Sequence, residues 1–227
     1  MSGAATGSGS RAKRIYLGLG LLVLHFAVAP MLFAAPGSAV AILSFVGLQA
    51  ALVLTLCGLS GVRWMTGVGM GLVLASGFAR LAPWLEPEDR SVLGSCLSAL
   101  VLAIVGMRTA KSFFDGRSVT PVLVSSAVSL YLLSGFFFTL CFDTLETWSP
   151  CSFLVGGVAA DPRDLHYFSY TTLTTLGYGD VTPHSEVARI LALSEAVFGQ
   201  MFVALVLGRL VGLQVASQTE RGPTHSR

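Results

Sequence analysis

Charge is what this chain has least of. Only 11% of its 227 residues are Asp, Glu, Lys or Arg, while 53% are hydrophobic. Soluble domains carry about 25% charged residues, so an ordinary water-exposed globule is excluded. The 14 basic and 12 acidic residues leave a formal charge of +2. They form no basic face or aromatic-basic stripe, which excludes a nucleic-acid surface. Cysteine is scarce too: Cys57, Cys96, Cys141 and Cys151, with no Cys-x-x-Cys pair, so no metal centre is written in the sequence. Cys141 and Cys151 flank one loop. They bridge if that face is oxidising and otherwise stand as two small free hydrophobes. No ATP-binding motif, cofactor signature or catalytic constellation is visible, and no internal repeat of the kind carriers show.

Long apolar runs fill the space that charge leaves. Six stretches are candidates for crossing a membrane: Ile15–Ala34, Ala39–Leu59, Trp64–Ala82, Ser91–Met107, Val119–Phe142 and Ser185 to about Val215. About 20 uncharged residues suffice for one crossing. The Gly/Ser/Ala-rich start reads as a disordered tail over residues 1–14, which includes Arg11, Lys13 and Arg14. The apolar run after those charges is longer than the core of a usual signal peptide. Four spans occupy residues 15–108, an amphipathic linker at the membrane surface 109–118, a two-helix unit 119–215, and a polar tail 216–227. Pro121 falls near the start of the fifth span, where proline is tolerated. His25 in the first span reads as a packed residue. Trp64, Trp84 and Trp148 fall near span ends, where interfacial tryptophans sit.

Lysine and arginine set the orientation. With both termini on one side, that side collects ten of the 14 basic residues, including Arg63, Arg108, Lys111, Arg117 and Arg209. The other side holds Arg80, Arg90, Arg163 and Arg189. Both termini are therefore expected in the cytoplasm. The opposite face gathers acids, among them Glu86, Glu88, Asp89, Asp143, Glu146, Asp161, Asp164, Asp180 and Glu186. They would draw cations to that face or serve as ordinary loop polarity.

Between the last two spans lies the stretch on which the rest depends. Asp164–Thr174 reads as a short helix, and Thr175-Leu176-Gly177-Tyr178-Gly179-Asp180 follows, with Pro183 close behind. Glycine reaches positive φ at little steric cost, so Gly177 and Gly179 permit a backbone that turns successive carbonyls the same way. This hexapeptide resembles the Thr-Val-Gly-Tyr-Gly-Asp filter of potassium channels. Another run, Thr66-Gly67-Val68-Gly69-Met70-Gly71, looks faintly similar but has no short helix before it, and its glycines suit helix packing.

The likeness is to bacterial potassium channel subunits of the six-span, one-pore kind, and it covers about Ser118 to Leu213. It rests also on Tyr131–Gly135, Asp164–Ser169, Ala188-Arg189, Glu195 and Gly199-Gln200. It implies an all-α membrane protein of six transmembrane helices, with a re-entrant pore helix (164–174) and a selectivity filter (175–180). Backbone carbonyls of Thr175, Leu176, Gly177 and Tyr178, with the Thr175 hydroxyl innermost, would replace the water of K+. Asp180, Tyr167, Thr171, Thr174 and Glu195 would support the filter. One filter per chain implies a homotetramer, set among membrane lipids of a plasma membrane, the bacterial inner membrane. K+ would be the permeant ion, and no cofactor is implied.

Some positions depart from the family pattern. Leu176 replaces Val or Ile. Tyr167-Phe168 stands where relatives carry bracing tryptophans, so bracing of Tyr178 falls to Tyr167 or to packing. Gly199 is a hinge or a close-packing site. Gln200 faces a water-filled cavity, and Val203, Leu207 and Val211 form an apolar constriction or a packed face. Glu195 is an acid inside a span, expected to reach the hydroxyls of Thr171 or Thr174, in a structural or a proton-linked role. His166 and His184 are expected as solvated residues near the outer mouth. Ser91–Met107 lacks lysine and arginine, which argues against strong voltage gating. A weakly selective cation channel, and a multi-span membrane enzyme or carrier, are the alternative readings.

Overall fold

The computed structural model describes residues 63–82 and 84–220, together with positions 16, 19, 20, 23, 47, 49, 50 and 53. The expected tail 1–14, most of the first two expected spans, His25, Cys57 and residues 221–227 lie outside the described residues. The elements are α1 (Arg63–Leu81), α2 (Pro87–Asp115), α3 (Pro121–Trp148), β1 (Phe153–Val155), β2 (Val158–Ala159), α4 (Pro162–Leu173), β3 (Val181–Pro183) and α5 (Glu186–Glu220).

Local chemistry sets the helix ends. Pro87, Pro121 and Pro162 each open a helix, where a missing N–H costs nothing and the fixed φ is already helical. Thr120 caps α3 by accepting from the Leu123 N–H at 3.2 Å. α2 continues past Met107 to Asp115, because Arg108 and Lys111 are good helix formers and nothing breaks the chain before Gly116. The linker expected over 109–118 therefore shrinks to the turn between Asp115 and Pro121. α3 likewise runs beyond Phe142 to Trp148. Glu88–Asp115, Pro121–Trp148 and Glu186–Thr219 are long and apolar enough to cross a membrane, and Gly67–Leu81 is a shorter apolar helix.

The expectation of an all-α chain needs correcting: the protein is mostly helical but carries a three-stranded antiparallel sheet in the order β2-β1-β3. Val155-Gly156-Gly157-Val158 makes its hairpin. Gly156 and Gly157 both have positive φ, 58° and 88°, which a two-residue hairpin of the favoured hand requires. β1 also pairs with β3, Leu154 opposite Thr182. The segment after Asp180 is thereby fastened to the loop that leaves α3. The His184 N–H donates to the Ser152 carbonyl at 2.7 Å in the same seam.

Two of the three apolar clusters among the described residues frame the site. Val73, Val101, Leu102, Val105, Leu133, Phe136 and Leu140 join α1, α2 and α3. Phe142, Phe153, Leu165, Phe168, Val181 and Ala188 join α3, the sheet, α4 and α5. The rings of Phe142, Phe153 and Phe168 form a triangle with centroids 5.0–5.4 Å apart. In water such a ring contributes about 1.5–3 kcal/mol on burial; against lipid the gain comes from packing instead. Polar links add direction. Arg80 donates to Ser95 Oγ, and Ser95 donates to Asp143 Oδ2, each at 3.1 Å. Asp143 thus belongs to a junction of α1, α2 and α3, not to an outer loop as its sequence position suggested.

Candidate functional site

α4 is a 12-residue helix wedged between α3 and α5, and its start is heavily capped. Asp161 accepts from the N–H groups of Arg163 (2.8 Å) and Asp164 (3.0 Å), while Asp164 Oδ2 accepts from the Asp161 N–H at 2.9 Å. Partial burial pushes the Asp161 carboxyl up, but the Arg163 guanidinium and these N–H donors outweigh it and hold the group below the usual carboxylate range. Glu146 accepts from the N–H groups of Cys151 and Phe153. Four acids expected at the outer face, Asp143, Glu146, Asp161 and Asp164, are therefore engaged in structural hydrogen bonds. Cys141 and Cys151 remain free thiols.

Two glycines let α4 enter between its neighbours. A Cβ on Gly135 would lie 2.6 Å from the Tyr170 ring, and one on Gly199 would lie 2.2 Å from the Leu173 carbonyl oxygen. Gly199 is thus a site of close approach. The same contacts are pinned by hydrogen bonds: Tyr170 donates to the Leu132 carbonyl at 2.7 Å, and Tyr131 donates to the Leu173 carbonyl at 3.0 Å. His166, expected in solvent, is buried. α4 turns it inward, where it meets Tyr170 and Phe136 edge-on and Thr139 Oγ1 at 3.5 Å from Nδ1. His184 is exposed.

The chain leaves α4 at Thr174 into a backbone of alternating hand. φ is +59° at Thr175, +53° at Gly177 and +81° at Gly179, while Leu176 and Tyr178 keep negative values. A strand of one hand points its carbonyls alternately to two sides. Reversing the hand at every second residue turns the carbonyls onto one side. A β-branched residue at positive φ is a genuine outlier, and such strain collects at functional positions. Nothing in the sequence marks Thr175 as left-handed; only the two glycines were legible. Hydrogen bonds brace the turn: the Thr171 carbonyl accepts from the N–H groups of Leu176 (2.8 Å) and Gly177 (3.1 Å), and the Thr172 carbonyl from Thr175 (3.0 Å). Thr171 therefore contributes through its backbone, and its hydroxyl turns back to the Phe168 carbonyl. The Thr174 hydroxyl donates to the Tyr170 carbonyl at 2.6 Å.

Every residue from Thr174 to Asp180 is exposed on the single chain. The Tyr178 ring stacks on Tyr167 with centroids 6.4 Å apart and planes 2° from parallel. The Tyr167 hydroxyl lies in the electrostatic field of Asp180, whose Oδ1 accepts from the Val181 N–H at 3.1 Å. Of the two partners the sequence left open for Tyr178, a Tyr167 ring and packing alone, the Tyr167 ring is the one in contact with it. Phe168 is buried in the ring triangle instead.

Glu195 reaches α4 but not the threonines anticipated for it. Its Oε1 lies 2.5 Å from Ser169 Oγ, because Ser169 is the hydroxyl on the α4 face turned to both α3 and α5. Ser169 Oγ is also 2.7 Å from the Gly135 carbonyl. Further along α5, Gln200, Val203, Leu207 and Val211 are all exposed on the single chain. Arg209 stood in the sequence only as one of the basic residues that set the orientation, with no partner marked. It donates to the carbonyls of Phe114 and Gly116 and lies over the Phe113 and Phe114 rings at 5.5 Å. It ties the distal half of α5 to the C-terminal end of α2, where carbonyls lack helical partners. Among the described residues no cluster of His, Cys, Asp and Glu fits a metal. Backbone carbonyl dipoles turned to one side are ligands of the kind that suit a bare monovalent cation.

Residues 126–214 match a family profile described as "Ion channel". The chain is 33% identical over 91 residues to two-pore potassium channel 1 of Arabidopsis thaliana, covering 40% of this chain and 23% of that protein. It is 32% identical over 89 residues to the inward rectifier potassium channel Kirbac3.1 of Paramagnetospirillum magnetotacticum, covering 37% and 27%. It is 43% identical over 58 residues to potassium voltage-gated channel subfamily KQT member 4 of Homo sapiens, covering 24% and 8%. The chain thus spans about a quarter of the length of the first two relatives and less of the third. No solved structure matches. The likeness to ion channels lies on residues 126–214, which hold most of α3, the sheet, α4, the Thr175–Asp180 turn and most of α5.

Proposed function

We propose that this protein is a subunit of a potassium-selective channel that passes K+ passively across the plasma membrane. The observation that carries the proposal is the alternating hand at Thr175, Gly177 and Gly179. It aligns backbone carbonyls as a dehydrated K+ needs. The potassium channel names of the matched relatives support the same reading. A single chain supplies one wall of such a filter, and its Thr174–Asp180 stretch has no cover of its own. Four copies about one axis close the ring. In that ring the C-terminal ends of four α4 helices, each carrying partial negative charge, stabilise a cation below the filter. Gln200 and the exposed Val203, Leu207 and Val211 line the inner path. Six spans with both termini in the cytoplasm, in a bacterial inner membrane, complete the proposed arrangement. The chain acts as a conduit in lipid and not as an enzyme, with K+ as cargo and no cofactor.

The test is reversal potential in liposomes under opposed potassium and sodium gradients. A potential near the potassium equilibrium value is expected, and Gly177→Ala abolishes selective current because alanine is strained at φ +53°. Equal permeability to both ions overturns potassium selectivity and leaves the weakly selective cation channel.

A further inference from the structure

Ser169 has one hydroxyl hydrogen and two close oxygen neighbours. Its Oγ is 2.7 Å from the Gly135 carbonyl and 2.5 Å from Glu195 Oε1. At these separations each oxygen pair needs a hydrogen between its members. The carbonyl can only accept, and an ionised carboxylate can only accept. One hydrogen cannot serve both, so an ionised Glu195 would leave a bare oxygen–oxygen contact. Water does not relieve it, since Ser169 and Glu195 are both 0% exposed. No lysine or arginine among the described residues acts on Glu195, and its Oε2 has no hydrogen-bond partner. A neutral carbonyl tolerates that far better than half of a carboxylate does.

The titratable groups facing Glu195 are Tyr131 and Cys141 from α3 and Tyr170 from α4. None of them brings a positive charge. His166 lies one turn before Ser169 on α4, against Tyr170.

We propose that Glu195 carries a proton and donates it to Ser169, which donates in turn to Gly135, so that one proton latches α5 to α4 and α4 to α3. Without the proton the relay is one hydrogen short. The contact opens and α4 loses the anchor that ties it to both long helices at Ser169, leaving the Tyr170–Leu132 and Tyr131–Leu173 bonds to α3. Glu195 never touches the ion path; it is a positioning residue for the turn that begins six residues after Ser169. The consequence for current rests on the conduction proposed above, whereas the proton itself does not.

The experiment uses the full chain in liposomes. Infrared difference spectra between wild type and Glu195→Gln read the proton directly. The expected result is a carboxylic-acid carbonyl band at neutral pH, absent in the variant and replaced by carboxylate absorption in alkali. Potassium flux is then followed as pH rises from neutral. Wild type loses flux reversibly, and His166→Gln loses it in the same way. Glu195→Gln keeps its flux, because the amide still donates to Ser169 and does not titrate. Absence of the acid band, or the same alkaline loss in Glu195→Gln, overturns the proposal. Absence of flux at every pH removes the conduction reading and with it the effect on current, while the band alone still decides whether Glu195 holds the proton.

Discussion

Gly199→Ala distinguishes a hinge from a packing contact in the middle of α5. The new Cβ would stand 2.2 Å from the Leu173 carbonyl oxygen and 3.1 Å from both its carbon and Leu173 Cδ1. Non-bonded heavy atoms prefer about 3.5 Å. α5 and the end of α4 must therefore part by about 1 Å, which overpacking series place at about 1–3 kcal/mol. The parted carbonyl also strains its bond from the Tyr131 hydroxyl, 3.0 Å in the native state and worth about 1 kcal/mol. Against this, alanine favours a helix over glycine by about 1 kcal/mol. The net expectation is a loss of about 1–3 kcal/mol. It would be read as a lowered thermal midpoint of the detergent-solubilised assembly, with weakened potassium selectivity because Leu173 leads directly into Thr174 and Thr175. Gly199→Ser should be at least as damaging. A hinge glycine makes the opposite forecast, since alanine would stiffen α5 without crowding anything. An unchanged or raised midpoint in Gly199→Ala, with altered open probability, would refute the packing account.

Other expectations are as direct. Thr175→Ala should fold and assemble, yet weaken block by barium, because a hydroxyl is removed while the other carbonyls stay; unchanged block and conductance would exclude Thr175 as the inner ligand. Conductance should depend only weakly on voltage. Moving one charge through the field gains about 2.3 kcal/mol per 100 mV, but Ser91–Met107 holds no lysine or arginine and Arg80 is tied to Ser95; several gating charges per assembly would contradict this. Asp161→Ala should cost about 1 kcal/mol through the lost cap of α4, seen as a lower thermal midpoint at neutral pH. Because the folded Asp161 carboxyl sits below its usual value, its contribution is present above about pH 3.9 and disappears as pH falls through the lower folded value. A midpoint gap between wild type and variant that persisted fully in strong acid would count against the cap.

The sequence alone determined what depends on composition and on chain neighbours. Scarce charge and long apolar runs called for helices that cross a membrane, and Pro121 fell near the start of one of them. The spacing of Gly177 and Gly179 exposed the unusual backbone between α4 and β3. Tertiary structure decided whatever depends on residues far apart in the chain. The positive φ of Thr175 is a local exception, braced by carbonyls of Thr171 and Thr172 that fold back onto the turn, which no propensity of threonine suggests. Ser169, not Thr171 or Thr174, meets Glu195 because the rotation of α4 about its own axis is fixed by Gly135 and Gly199 on its two neighbours. The same rotation buries His166. Asp143 left the outer loop because α3 ran on to Trp148 and brought it to Ser95. For Glu195, His166 and Asp143 the residue type was visible from the start, while the partner was set by the packing of helices dozens of residues apart.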